Sequence, residues 1–216
     1  MLSESMENYL KVIYEVLEHD ERATTSSIAA RMGIAPPSVT AMVKRLAELG
    51  LVTHEPYRGV RLTEAGQRSA LEIVRHHRLI ELYLAKALGV PWDRVHAEAE
   101  KLEHVISEDL EQRMADALGD PAFDPHGAPI PSREGVIERV ATRLLSEVGP
   151  GATVAVVEVD DREPGLLRYL ADLGLVPGTR VDVLEIEPYD GPFLLRFGQR
   201  QVRLGRAAAE EIRVSA

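Results

Sequence analysis

The chain has 216 residues, with 25 Lys and Arg against 35 Asp and Glu for a net charge of −10, 45% hydrophobic residues and no cysteine. That length supports a core able to fold without disulfides, and the missing thiols exclude thiolate metal sites, iron–sulfur clusters and cysteine nucleophiles. No apolar run approaches the ~18 residues of a membrane helix, and the opening Met1-Leu2-Ser3-Glu4-Ser5-Met6-Glu7 lacks a basic stretch ahead of an apolar one, so a cytoplasmic protein is expected. Any transition metal would be held by His and carboxylate ligands, which suit Mn²⁺, Fe²⁺ or Zn²⁺ better than Cu(I).

The acidic total argues against a generic polyanion binder, but the charge is unevenly spread. Lys44, Arg45, Arg58, Arg61, Arg68, Arg75 and Arg78 make one stretch locally basic. Residues 98–124 then carry Glu98, Glu100, Glu103, Glu108, Asp109, Glu111, Asp116, Asp120 and Asp124 against Lys101 and Arg113, a stretch suited to attract cations.

In chain order, Met6, Tyr9, Leu10, Ile13, Val16 and Leu17 recur at helical spacing and predict an amphipathic helix over 4–18. Thr24 or Thr25 can cap a short helix over 26–31 that ends at Gly33, and Pro36-Pro37-Ser38 opens a third that stops at Gly50. In that third helix Val39, Met42, Val43 and Leu46 point inward, and Thr40, Ala41, Lys44 and Arg45 outward. The pair is a helix-turn-helix pattern. Residues 51–54 and 60–63 flank a turn through Pro56-Tyr57-Arg58-Gly59, a hairpin of wing type. A long helix is predicted from Thr63 to about Leu88, and a second, acidic one from Pro91-Trp92 to about Leu118. Two such amphipathic helices after a small domain leave apolar faces for a dimer. Prolines and glycines dominate 119–151, with a helical piece near 136–147, and the period then changes to two. Strands are predicted over 154–159, 180–187, 193–197 and 201–204, with a helical insert over 163–173 before Gly174-Leu175-Val176-Pro177-Gly178. The expected fold is mainly α plus small β: a winged helix-turn-helix at 1–65, a helical metal-binding and dimerisation domain at 66–131, a linker at 132–150, and a half-open SH3-like β-barrel at 151–216.

Two constellations carry chemistry. In a winged helix-turn-helix the second helix enters the major groove, so Ser38, Thr40 and Ala41 lie nearest the bases, Lys44, Arg45, Arg58 and Arg61 face phosphates, and Pro37 and Tyr57 join the DNA-binding set. A winged helix used only for protein contacts is the plainer alternative, disfavoured by the basic residues on that side. The second constellation is His96, Glu100, Glu103 and His104, placed on one face of the acidic helix, with His77 and Glu81 as an i, i+4 pair on the helix before. Packed carboxylates raise one another's pKa unless a cation neutralises them, and a divalent ion is the economical solution. The arrangement resembles the inward ligands of a dinuclear helix-bundle site. His19, His54, His76 and His126 are read as structural.

These motifs resemble the DtxR/MntR family of metal-dependent transcriptional repressors over essentially the whole chain. Ser5-Met6-Glu7-Asn8-Tyr9-Leu10 is similar to the family's opening helix, Pro36-Pro37-Ser38-Val39-Thr40 to its recognition helix, and Tyr57-Arg58-Gly59 to its wing. His77-Arg78-Leu79 with Glu81, Val95-His96 and Glu103-His104 look like its metal-binding helices. Asp124-Pro125-His126-Gly127 with Pro129-Ile130-Pro131 looks like the close of its dimerisation domain, and 151–216 like the FeoA domain that many members append. The resemblance implies a primary metal site of Asn8, Glu100, Glu103 and His104 and an ancillary site of His77, Glu81 and His96, with Glu163 as an extra ligand. It also implies a homodimer on pseudo-palindromic operator DNA that controls metal-uptake genes. Glu100, where iron-type members have Cys, favours Mn²⁺ over Fe²⁺. Asn8 and Lys11 depart from the Asp and Glu of manganese-type members, and Lys11 cannot ligate while charged. The rival functions are a dinuclear metallohydrolase, which would need an open coordination position in a substrate pocket, a metal-storage helical protein, and a winged-helix sensor of an organic ligand.

Overall fold

The computed structural model describes residues 2–20, 22–55, 59–138 and 140–216. Tyr57 and Arg58, expected on the wing, lie outside the described residues, as does the His19 side chain. The chain divides into two compact units.

The first unit comprises residues 1–76, 103–106 and 131–136. Helix α1, Glu4–His19, opens where the Ser3 side chain accepts from the Met6 N–H, and it buries Leu10 and Ile13 completely. Helix α2, Thr25–Met32, begins with a reciprocal Thr24–Ser27 capping box and ends at Gly33 in the left-handed region. Helix α3, Pro36–Glu48, starts on two prolines that need no N–H there and buries Val39, Val43 and Leu46. Strands β1 (Val52–Glu55) and β2 (Gly59–Leu62) pair antiparallel, and the Val60 N–H donates to the Ala23 carbonyl at 2.7 Å, which joins the hairpin to the helix pair. Helix α4, Glu64–Leu88, follows the hairpin directly. At Gly66 a Cβ would stand 1.9 Å from the Leu51 carbonyl oxygen, so only glycine lets this helix leave so close to the hairpin.

The second unit comprises residues 77–102, 107–130 and 137–216 and takes the latter half of α4. It contains α5 (Val95–Leu102) and α6 (Glu108–Leu118), and, among the described residues, a six-stranded antiparallel sheet of order β3-β8-β4-β5-β6-β7. The strands are β3 (Thr142–Leu144), β4 (Thr153–Val159), β5 (Arg180–Ile186), β6 (Phe193–Phe197), β7 (Arg200–Leu204) and β8 (Ile212–Ser215). Register shifts interrupt β4 and β5, and α7 (Pro164–Leu173) and α8 (Arg206–Ala209) contribute Leu167, Leu170 and Ala209 to the core that the sheet shares. Leu167, Leu170, Val181, Val183, Phe193 and Leu195 fill its core.

This is the mainly α, small β architecture read from the sequence, with three local corrections. The single acidic helix is two, because Ser107 caps a new start by accepting from the Leu110 N–H. Glu103 and His104 therefore sit in a turn after α5, not on one helical face with His96 and Glu100. The helical piece near 136–147 is instead β3 followed by a single 3-10 turn, Leu145–Glu147, because pairing with β8 overrides the local pattern. Strand β8 itself was not anticipated.

Candidate metal centres and nucleic-acid face

On α3, Pro37, Ser38, Thr40, Ala41, Lys44 and Arg45 are all exposed while Val39, Val43 and Leu46 are buried, so the α3 residues assigned to DNA share one solvent face, and Arg61 on β2 is exposed as well. The Thr40 hydroxyl donates to the Pro36 carbonyl at 3.1 Å. The face is cationic through Lys44 and Arg45, as a surface meeting phosphates requires.

In the second unit, α4 presents His77 and Glu81 one turn apart. His77 Nε2 lies 3.0 Å from Glu81 Oε1, and His96 of α5 lies 3.2 Å from the same oxygen through Nδ1. The same His96 nitrogen lies 3.2 Å from Asp161 Oδ2, just past the end of β4. His77, Glu81, His96 and Asp161 thus offer ligand atoms within 4.8 Å of one another, and Glu81, Asp124 and His126 form a second such group. His126 arrives on a tight loop. Asp124 Oδ1 accepts from the His126 and Ala128 N–H groups, the His126 carbonyl accepts from the Val159 N–H, and Gly127, at φ +92°, packs where a Cβ would stand 1.9 Å from the Val157 carbonyl oxygen. The ring stacks on Trp92, and its Nε2 donates to the Trp92 carbonyl at 2.8 Å. Holding one imidazole nitrogen as the donor turns the other, Nδ1, toward Glu81 and Asp161 as a ligand atom.

The electrostatics follow from this crowding. Burial pushes Glu81 up, but the charge of His77 and the adjoining histidines overcome it and hold the carboxyl well below its usual range. Burial likewise raises Asp161, and the His96 hydrogen bond more than reverses it. Burial disfavours a charged His96, yet Asp161 and Glu81 carry its pKa up to about 11, and Glu81 with its neighbours carries His126 up to about 9. Asp124, buried and close to the Glu81 charge, rises to about 7. Protons on the histidines therefore balance the carboxylates. Among the described residues, Glu81 Oε2 and His126 Nδ1 are buried without a hydrogen-bond partner, and they face each other at 3.8 Å. Two ligands each ~2.0–2.2 Å from one ion stand no more than ~4.4 Å apart, so this pair and its neighbours fit a divalent cation.

The first unit holds a different cluster. His104 Nε2 donates to Asn8 Oδ1 at 2.7 Å and its Nδ1 faces Glu7 Oε2 at 2.8 Å, so both ring nitrogens are engaged. Glu103 Oε1 lies 3.3 Å from His104 Nε2 and accepts from Lys11 Nζ at 2.6 Å. The Lys11 and Glu103 side chains are 5% and 0% exposed. An ammonium group stands where the resemblance implies a metal, and the donor set as folded does not fit one.

Of the residues singled out from the sequence, the structure brings together Asn8, Glu103 and His104 in one unit and His77, Glu81 and His96 in the other. Glu100 belongs to the second unit, exposed and 3.8 Å from His96. Glu163 is exposed at the cap of α7, and the carboxylate that the β4–α7 loop delivers to the cluster is Asp161, because the loop turns outward after it. His126, read as structural, belongs to the metal-competent cluster, while His54 is exposed and His76 is buried with Nδ1 3.1 Å from the Glu103 carbonyl oxygen. Sequence reasoning missed Asp124 and Asp161 as cluster members. The Asp124-Pro125-His126-Gly127 motif was the available signal for the first, and nothing local marks Asp161.

Residues 1–60 match the N-terminal DNA binding domain of the iron dependent repressor family, residues 63–132 its metal binding and dimerisation domain, and residues 143–216 the FeoA domain. The iron-dependent repressor IdeR of Mycobacterium tuberculosis is 34% identical over 226 residues, covering 99% of this chain and 97% of that protein. The diphtheria toxin repressor of Corynebacterium diphtheriae is 30% identical over 223 residues, covering 99% and 97%. Among solved structures, a manganese-dependent transcriptional repressor in complex with manganese is similar at TM-score 0.92 and 37% identity, covering 98% of this chain and 99% of that one. The manganese regulator SloR is similar at TM-score 0.81 and 34% identity, covering 97% of each. With three matched domains in this order and relatives of this identity over its whole length, the chain belongs to the iron-dependent repressor family of metal-dependent transcriptional repressors.

Proposed function

We propose that this protein is a Mn²⁺-responsive repressor that acts in the cytoplasm as a homodimer on pseudo-palindromic operator DNA and controls genes for metal-ion uptake, with Fe²⁺ as the alternative ion. The observation that carries the metal reading is the buried pair Glu81 Oε2 and His126 Nδ1, both without a hydrogen-bond partner among the described residues and set among His77, His96 and Asp161. An all-oxygen and imidazole donor set in a chain without cysteine supports a hard or borderline divalent ion. The similar repressor solved with manganese supports Mn²⁺, and the 34% identity to IdeR keeps Fe²⁺ in view.

A bound divalent ion supplies positive charge that replaces the protons on this cluster. The chain's own residues do the rest: Trp92 and Asp124 orient His126, α4 carries His77 and Glu81 on the helix that directly follows the hairpin, and α3 offers Ser38, Thr40 and Ala41 to bases with Lys44 and Arg45 to phosphates. Tyr57 and Arg58, from the sequence, complete the backbone contacts. In a two-fold dimer two such helices would read half-sites ~34–36 Å apart. Glu100, Asn8, Glu103 and His104, ligands by resemblance alone, are left out of this set because the Lys11 ammonium already pairs with Glu103. Among the described residues no helix is long and apolar enough to cross a membrane. The relatives are repressors, so the hydrolase and storage readings are dropped. The test is a titration of operator binding against Mn²⁺, Fe²⁺, Zn²⁺ and Mg²⁺ at fixed salt. Binding that is equally tight in chelator would refute metal control.

A further inference from the structure

The Asn8, Glu103 and His104 cluster contains a feature that metal-dependent control does not require. Glu7 and Asn8 stand four and three residues before Lys11, which puts both on the side of α1 that carries Lys11. From that face Lys11 reaches Glu103 Oε1 at 2.6 Å, with both side chains nearly or wholly buried. A buried carboxylate needs a partner charge, and a buried ammonium needs one equally. Each satisfies the other, while His104 is spanned by Glu7 and Asn8. A divalent ion entering at Glu103 would have to displace a tethered cation already in place or sit buried beside that second positive charge.

We propose that the Lys11 ammonium is the resident cation of this cluster, replacing a divalent ion there and tying α1 to the 103–106 turn without metal. The proposal rests on the metal-dependent reading only for its consequence, that control falls to the cluster of Glu81, His126 and their neighbours. Its test uses no DNA, so its failure and the failure of that reading are distinguishable. Mn²⁺ bound per chain at saturation is measured by equilibrium dialysis for the full-length wild type, Lys11→Met and Lys11→Gln, each alone and with His104→Ala. Wild type should bind one ion fewer than the Lys11 variants. His104→Ala should leave the wild-type count unchanged and remove the ion that the variants gain. Thermal melts of the same proteins should show Lys11→Met losing stability in chelator and recovering it with Mn²⁺. A wild-type count that falls by one on His104→Ala, or Lys11 variants that gain no ion, would overturn the proposal. Both variants failing to fold with and without Mn²⁺ would overturn it too, since a divalent ion could then not stand in for the ammonium.

Discussion

Metal binding at the second-unit cluster should be a proton-release reaction, with a count that follows from the metal-free charges. His96 is held up to about 11 and His126 up to about 9, so near neutral pH both rings carry protons that must leave before nitrogen can ligate. If both rings ligate, about two protons are released per ion, and each unit fall in pH costs about 2 × 1.36, or ~2.7 kcal/mol, roughly a 100-fold loss of Mn²⁺ affinity. Isothermal titration in buffers of different ionisation enthalpy, repeated at several pH values, reads the proton count directly. Replacing His126→Gln should lower that count by about one, because the substituted amide carries no titrating proton. Mn²⁺ affinity that does not change over about pH 6.5 to 8.5, with no buffer dependence of the heat, would refute the reasoning: the charge balance drawn from Glu81, Asp161 and the two rings would then be wrong.

The same shifts set the stability of the metal-free protein. His126 is raised from its ordinary ~6.5 to about 9, so its contribution, on the order of 3 kcal/mol, is fully present below pH ~6.5 and is lost as pH rises through about 9; melting in chelator should move down over that range, and a flat or rising profile contradicts it. Asp161→Asn should weaken Mn²⁺ binding by roughly 10-fold or more while Glu163→Gln leaves it unchanged, since only Asp161 stands beside His96 and His126; equal effects in calorimetry would mean that the loop rearranges on binding. Lys44→Ala and Arg45→Ala should each flatten the slope of log K against log salt by about 0.9 and weaken all sequences alike, and an altered base preference with an unchanged slope would contradict their assignment to phosphates.

Local chemistry was legible in the chain wherever one element decides it. A threonine cap at Thr24 or Thr25, which the structure settles on Thr24, with Gly33 and Pro36-Pro37, delimits α2 and α3; the buried Val39, Val43 and Leu46 recur at helical spacing; and His77 with Glu81 is an i, i+4 pair that helical geometry alone puts on one face. What periodicity could not report was where α5 stops, because the pattern runs on through Glu103 and His104 and only the Ser107 cap divides it. Strands β3 and β8 were equally hidden: each is short, β3 pairs with β8 and β8 lies between β3 and β4, pairings that no local window contains. The metal-competent cluster needed the tertiary structure most. It gathers side chains from α4, α5, the loop at Asp124 and the residue pair after β4, so Asp161 rather than Glu163, and His126 rather than a structural histidine, became members only through the packing of the Gly127 loop against β4. Lys11 marks the same boundary: its type is plain in the sequence, but whether its charge points to water or into Glu103 is decided by which carboxylate the fold buries opposite it.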